Sequence, residues 1–253
     1  MLAFDERGPA EAPTVVLVHG FADSAAMWFL RKPDLFARFH VIAADLPGHG
    51  RSPPYHTSRL TIKDLAMELQ LLLRKVKTDD FTLVGHSMGG MVAQQYSIDH
   101  PEHVKNLVLC STASGGSNLP AIQELKETIN QNGLRAALSV DQYASTSFGD
   151  NVDESLVQTY LELEYKTDQE TSVRCLDAMA NWSLDLESVR NFRGTTVLLF
   201  GDQDKITPMK VCAASLRAAY NHTVIEIVKG AGHMVYLEKP NEFERLVTKY
   251  ITR

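Results

Sequence analysis

The chain has little with which to brace itself covalently or to enter a bilayer. Its three cysteines, Cys110, Cys175 and Cys212, are odd in number and far apart, with no C-x-x-C pair, a pattern that indicates neither a disulfide framework nor a structural zinc site. No run approaches the roughly 18 to 20 uninterrupted apolar residues of a membrane span, and Met1 to Arg7 carries no basic region followed by an apolar stretch. The expectation is a soluble, unexported chain of a reducing cytoplasm, with no membrane partner. Repeats, low-complexity tracts and long charge runs are missing too, and the formal charge of −6 gives no basic surface for nucleic acid. What is present is a 44% hydrophobic composition over 253 residues, enough for one large α/β domain with an insertion.

Short Val/Ile/Leu-rich runs with little polar alternation occur at Thr14–Val18, His40–Ala44, Phe81–Val84, Val104–Leu109, Thr196–Phe200 and Thr223–Val228. These predict parallel strands covered on both faces. Leu2–Asp5 offers one further edge strand. Between the strands, Thr61–Val76 repeats apolar residues at helical spacing, with Asp64 three residues after Thr61 as a capping-box start, and Pro240–Tyr250 reads the same way. Repeated βα units predict a mostly parallel, doubly wound sheet. The rhythm breaks between 114 and 192, where helical stretches follow one another: Leu119–Gln131, Leu134–Phe148, Val152–Lys166 and Glu170–Trp182. The expected organisation is therefore a core of residues 1–113 and 193–253 with a helical cap insertion at 114–192.

The chemistry centres on Gly85-His86-Ser87-Met88-Gly89, directly after an apolar strand and before a helical stretch. That setting predicts a sharp strand-to-helix turn that lifts the Ser87 hydroxyl above the sheet edge. A serine nucleophile needs a base and an acid to orient it. An acid, Asp202 or Asp204, follows the strand ending at Phe200, and His233 follows the strand ending at Val228. Ser, Asp and His thus stand in the chain order that such an elbow requires.

With these residues in view, the chain resembles the α/β-hydrolase family from about Thr14 onward. The motifs are Val18-His19-Gly20-Phe21, Asp45-Leu46-Pro47-Gly48-His49-Gly50-Arg51-Ser52, the elbow at Ser87, Gly201–Asp204 followed by Thr207-Pro208, and Gly232-His233. They resemble those of small carboxylesterases and of 3-oxoadipate enol-lactonase-like members. The resemblance implies the α/β-hydrolase fold, with Ser87 as nucleophile, Asp204 as orienting acid, His233 as base, and the Phe21 and Met88 N–H groups as oxyanion hole. It implies no cofactor and no metal. Asp204 rather than Asp202 takes the acid's place because the family acid stands four positions before Pro208 and three after Gly201; Asp202 is expected to hold the loop. The family's usual N-terminal hairpin is expected to be incomplete, since only about a dozen residues precede Thr14.

Neighbours of these residues divide the branches. Serine at 87 disfavours dehalogenases and epoxide hydrolases, which resemblance would require to carry aspartate. His86 and Met234 stand where carbon–carbon-bond hydrolases carry Asn and Trp, and Met91 where the menaquinone-pathway lyase wants a basic residue. The expectation is a serine hydrolase of small apolar esters or lactones, monomeric or homodimeric. A C–C hydrolase, an enol-lactonase of aromatic degradation or a slow-turnover sensor of the same fold are the alternatives. Tyr143, Phe148, Tyr160, Tyr165 and Trp182 in the cap, together with Met234, are candidate pocket residues. His86 is expected to pack below the site pointing away from His233; Asp45, His49 and Arg51 to brace their loop; and His40, His56, His100, His103 and His222 to lie at the surface. Residues 121–187 hold thirteen acids against four bases, about −9, leaving the rest near +3, a distribution that disfavours polyanionic substrates such as acyl-CoA.

Overall fold

The structure, a computed structural model, describes residues 1–115, 119–164 and 167–251. Among the described residues seven strands form one sheet: β1 (Phe4–Arg7), β2 (Thr14–Val18), β3 (His40–Ala44), β4 (Phe81–His86), β5 (Val104–Cys110), β6 (Thr195–Gly201) and β7 (Thr223–Val228). Their order is β1-β3-β2-β4-β5-β6-β7, with β1 alone antiparallel. The order reverses between β2 and β4, so the chain opens a crevice at their carboxyl ends, the place where doubly wound sheets bind ligands.

Both faces of the sheet are apolar because successive strand residues point to opposite sides. Val16, Val18, Ile42, Leu83, Leu107 and Leu198 face one core with α1 (Ile62–Lys75), α2 (Met88–Asp99) and part of α8 (Met209–Ala219). Val15, Leu17, Val41, Val84, Val108 and Val197 face the other, covered by a 3-10 turn (Ala25–Phe29) and α10 (Pro240–Ile251). Helix α1 starts as its sequence predicts: Thr61 Oγ1 accepts the Asp64 N–H at 3.1 Å and Asp64 Oδ2 accepts the Thr61 N–H at 2.9 Å.

Between β5 and β6 lie α3 (Leu119–Asn132), α4 (Leu134–Ala137), α5 (Val140–Ser147), α6 (Glu154–Glu164) and α7 (Gln169–Ala180). The stretch 134–148, expected as one helix, is two, because Leu138 (ψ 47°) and Ser139 (ψ 150°) leave the helical region. The edge strand begins at Phe4 rather than Leu2 and runs to Arg7. Strand β7 departs from the two-sided burial expected of it. Among the described residues it pairs with β6 alone, and Val224, Ile225 and Ile227 are 38%, 37% and 45% exposed. Among the described residues no helix is long and apolar enough to cross a membrane.

Candidate functional site

Ser87 separates β4 from α2 at φ 51°, ψ −117°, a conformation that costs an L-residue of order 1–3 kcal/mol and persists only when its surroundings impose it. They do. The Ser87 N–H donates to the Cys110 carbonyl at 3.0 Å, while the Ser87 carbonyl accepts Thr112 Oγ1 at 2.7 Å and the Gly90 N–H at 2.9 Å. Glycine is obligatory on either side: a Cβ at Gly85 would stand 2.3 Å from the Gly89 carbonyl oxygen, and one at Gly89 2.3 Å from the oxygens of Val18 and His19. Met88 is the first residue of α2, so its N–H has no acceptor within the helix and the positive end of the helix dipole faces Ser87.

The loop after β2 lies against this turn; a Cβ on Gly20 would be 3.3 Å from Ser87 Cβ. Its orientation follows from His19, which is fully buried. The Leu46 N–H donates to His19 Nε2 at 2.9 Å, so Nδ1 carries the proton and donates to the Gly20 carbonyl at 2.8 Å. The Gly20 carbonyl and the Phe21 N–H share one planar trans peptide, so fixing the first aims the second in the opposite direction. Burial, then the neighbouring His49, hold the His19 pKa well below its usual range and keep the ring neutral for this role. Asp45 braces the same region: its Oδ1 accepts the Ala25 N–H at 2.8 Å and its Oδ2 accepts Arg51 Nε at 3.0 Å. His49, its pKa lowered by burial, donates Nδ1–H to the Pro47 carbonyl at 3.0 Å.

Two neighbouring strand ends bring Asp204 and His233 together. His233 Nδ1 lies 3.2 and 3.1 Å from the Asp204 oxygens. Asp204 also accepts the N–H groups of Ile206 (2.9 Å) and Thr207 (2.8 Å) and the Thr207 hydroxyl (2.6 Å). Burial acts to raise this carboxyl, but His233 and the Thr207 hydrogen bonds outweigh it and hold Asp204 well below the usual carboxylate range. Asp202 is turned away and accepts the Gly230 N–H at 2.7 Å, tying the two loops together. The Ser87 hydroxyl and His233 are not hydrogen-bonded to each other here; apo sites often tighten this contact only when substrate binds.

His86 does not point away from His233. Its Nε2–H donates to the His233 carbonyl at 3.0 Å and the rings are 4.8 Å apart, because the backbone carbonyl of His233 reaches under the turn. Burial, then His233, push the His86 pKa down to about 3, so it stays neutral. Beneath it, Asp23 accepts the Tyr236 hydroxyl at 2.5 Å and the Ser24 N–H at 2.6 Å. Burial is the main cause that raises Asp23 to about 7, with Asp45 adding repulsion. Neither Asp23 nor Tyr236 was signalled by a motif; the signal available was an acid four residues after His19 and a tyrosine three after His233.

Phe148 and Met234 are each 1% exposed and belong to the apolar cluster behind the His233 loop, Phe148 packing edge-on to Tyr160. Trp182 donates Nε1–H to Gln95 at 3.0 Å and lines a cavity of about 480 Å³ between α7 and the start of α1, whose walls include none of Ser87, Asp204 or His233. Tyr165 and the Tyr143 side chain lie outside the described residues. His40, expected at the surface, is 7% exposed, its Nε2 2.8 Å from Glu6. Among the described residues no group of three or more His, Cys, Asp or Glu side chains is arranged to hold a metal ion.

A profile of the alpha/beta hydrolase fold family matches residues 13–240. The dihydrolipoyllysine-residue acetyltransferase component of the acetoin cleaving system of Cupriavidus necator is 28% identical over 256 residues, covering 95% of this chain. The chain spans 64% of that relative's length. Among solved structures, the enol-lactonase of Burkholderia xenovorans superposes with a TM-score of 0.89 at 20% identity, over 100% of this chain and 96% of that one. A thermophilic esterase of Thermogutta terrifontis gives 0.87 at 22% identity, over 99% and 93%. At such identities these two structures establish a shared fold.

Proposed function

The chain belongs to the alpha/beta hydrolase fold family, and we propose that it is a serine hydrolase that cleaves small apolar carboxylic esters or lactones through an acyl-enzyme. The observation that carries this reading is the strained Ser87 turn, held at the sheet's crevice beside a buried His233–Asp204 pair. His233 Nε2 takes the Ser87 proton as Oγ attacks the carbonyl carbon. Asp204, kept ionised, orients the imidazole through Nδ1–H and stabilises the imidazolium. The oxyanion of the tetrahedral intermediate is received by the Phe21 and Met88 N–H groups, each donor worth roughly 3 to 4 kcal/mol. His233 then protonates the leaving oxygen, and water, activated by the same base, releases the acid. No step asks for a metal or a cofactor. The esterase and enol-lactonase structures that share the fold support ester and lactone carbonyls as the first substrates to try.

The test is a p-nitrophenyl ester series from acetate to decanoate on wild type and Ser87→Ala. Steady multiple turnover that needs Ser87 supports the reading. Undiminished activity in the folded variant overturns it, and a single burst followed by a stall assigns the protein as a slow sensor instead.

A further inference from the structure

The loop that carries His233 is not held by the core alone. The segment from Ser145 to Asp150, at the end of α5, is hydrogen-bonded to both loops that bring Asp204 and His233 together. The Ser147 carbonyl accepts the N–H groups of His233 (2.7 Å) and Met234 (3.3 Å), and the Asp150 N–H donates to Gln203 Oε1 at 2.8 Å. Lys205 Nζ donates to the Ser145 carbonyl at 3.1 Å. Glu238, last residue of the short helix α9 (Val235–Glu238), closes the arrangement. Its Oε2 accepts the Gly149 N–H at 2.8 Å and its Oε1 the Gly232 N–H at 2.9 Å, the residue immediately before His233. The fit is tight: a Cβ on Gly149 would stand 2.7 Å from Gln203 Oε1 and 3.0 Å from Glu238 Oε2, and one on Gly232 2.5 Å from the Phe148 carbonyl carbon.

We propose that Glu238 is a positioning residue: its carboxylate, shared between Gly149 of the insertion and Gly232 of the His233 loop, sets where the imidazole stands. The inserted segment 145–150 then governs turnover rather than substrate choice, which falls to other parts of the insertion. The physical basis is that one carboxylate satisfies two backbone donors from segments 83 residues apart; removing it frees both, and displacement of a base by about 1 Å can cost on the order of a hundredfold in rate. This inference rests on the hydrolase reading above for its kinetic test, and on a second measurement that does not.

Glu238→Ala is expected to lower kcat about ten- to hundredfold with KM and the ester chain-length profile unchanged. Glu238→Gln, which keeps one acceptor oxygen, is expected to recover part of that loss. Gly149→Ala, which presses on the same carboxylate from the insertion side, is expected to lower kcat in the same way, and it decides the matter together with Glu238→Gln where Glu238→Ala does not fold. A folded Glu238→Ala with kcat within twofold of wild type, or with its loss entirely in KM, overturns the proposal. In parallel, the downfield proton signal of His233 Nδ1–H is followed by NMR. Its loss or shift in Glu238→Ala and return in Glu238→Gln supports the proposal, and an unchanged signal overturns it. If wild type hydrolyses no ester, the hydrolase reading fails while the NMR comparison still judges the role of Glu238.

Discussion

The loops at the carboxyl ends of the strands and the helices inserted between β5 and β6 are built to different tolerances. Around the strand ends, backbone meets backbone: Gly85, Gly89 and Gly201 stand where a Cβ would come within 2.2 to 2.3 Å of a carbonyl oxygen, and Asp204 has its acceptors filled by Ile206, Thr207 and His233. In the insertion, Gly133 has only Gln169 Oε1, at 3.9 Å, near its missing Cβ, and helices are laced by pairs one turn apart such as Gln158–Glu162 and Glu170–Arg174. A cavity of about 480 Å³ separates α7 from the start of α1. The contrast teaches that the backbone around Ser87 and Asp204 leaves no room for a side chain at its glycines, whereas the insertion is open at Gly133 and tight where Gly149 meets the His233 loop.

The largest effect that can sharpen this contrast is on catalysis. Ser87→Ala is expected to reduce ester hydrolysis by about 10³-fold or more, and Asp204→Asn by a similar order, with the circular dichroism spectrum and melting temperature close to wild type. Activity that survives in either folded variant breaks the assignment. Next comes packing. Gly89→Ala drives a methyl group into the backbone oxygens of Val18 and His19, which cannot yield, and is expected to cost about 3 kcal/mol in urea unfolding. Gly133→Ala, with space available and only its φ of 81° to penalise, is expected to cost about 1 kcal/mol. Equal costs would erase the distinction between the two regions.

A third test is electrostatic. Asp23 titrates near 7 in the folded protein against 3.8 when unfolded, so between those values the folded state retains a proton that the unfolded state has released. Stability is therefore lost as pH rises through this window, and the loss is complete above it. Asp23→Asn, which does not titrate, is expected to gain on wild type by on the order of 2 kcal/mol between pH 5 and pH 8, read by chemical denaturation at each pH. A gap that is constant with pH would place Asp23's proton elsewhere. The smallest effect belongs to the surface of the insertion: Glu170→Ala removes an exposed partner of Arg174 and is expected to change stability by no more than about 0.5 kcal/mol.

The parts of the fold that could be read in advance are those that local chemistry dictates. The capping box at Thr61 and Asp64 marks the start of α1, and apolar runs mark β2 to β6, because their burial on both faces removes polar alternation. Position in the sheet was not readable. The run at Thr223–Val228 looks like an interior strand yet forms an edge, and nothing within six residues records whether a neighbour lies on its far side. Likewise nothing local to Phe148 or Met234 records that the segment after α5 packs down on the His233 loop. The links under the site are longer still: His86 to His233 spans 147 residues and Asp23 to Tyr236 spans 213, distances over which composition carries no information about contact.

By itself the sequence determined the chain order of Ser87, an acid after β6 and His233, the glycines flanking the turn and the alternation of strand and helix. Each of these is a property of a residue type or of a spacing of a few residues, and covalent geometry enforces it locally. Only the tertiary structure decided that Ser87 is held at positive φ, that His19 aims the Phe21 N–H, that Asp204 stays ionised in spite of burial, and that Glu238 joins the insertion to the His233 loop. These depend on distances between groups far apart in the chain, and such distances are set by the packing of the whole core.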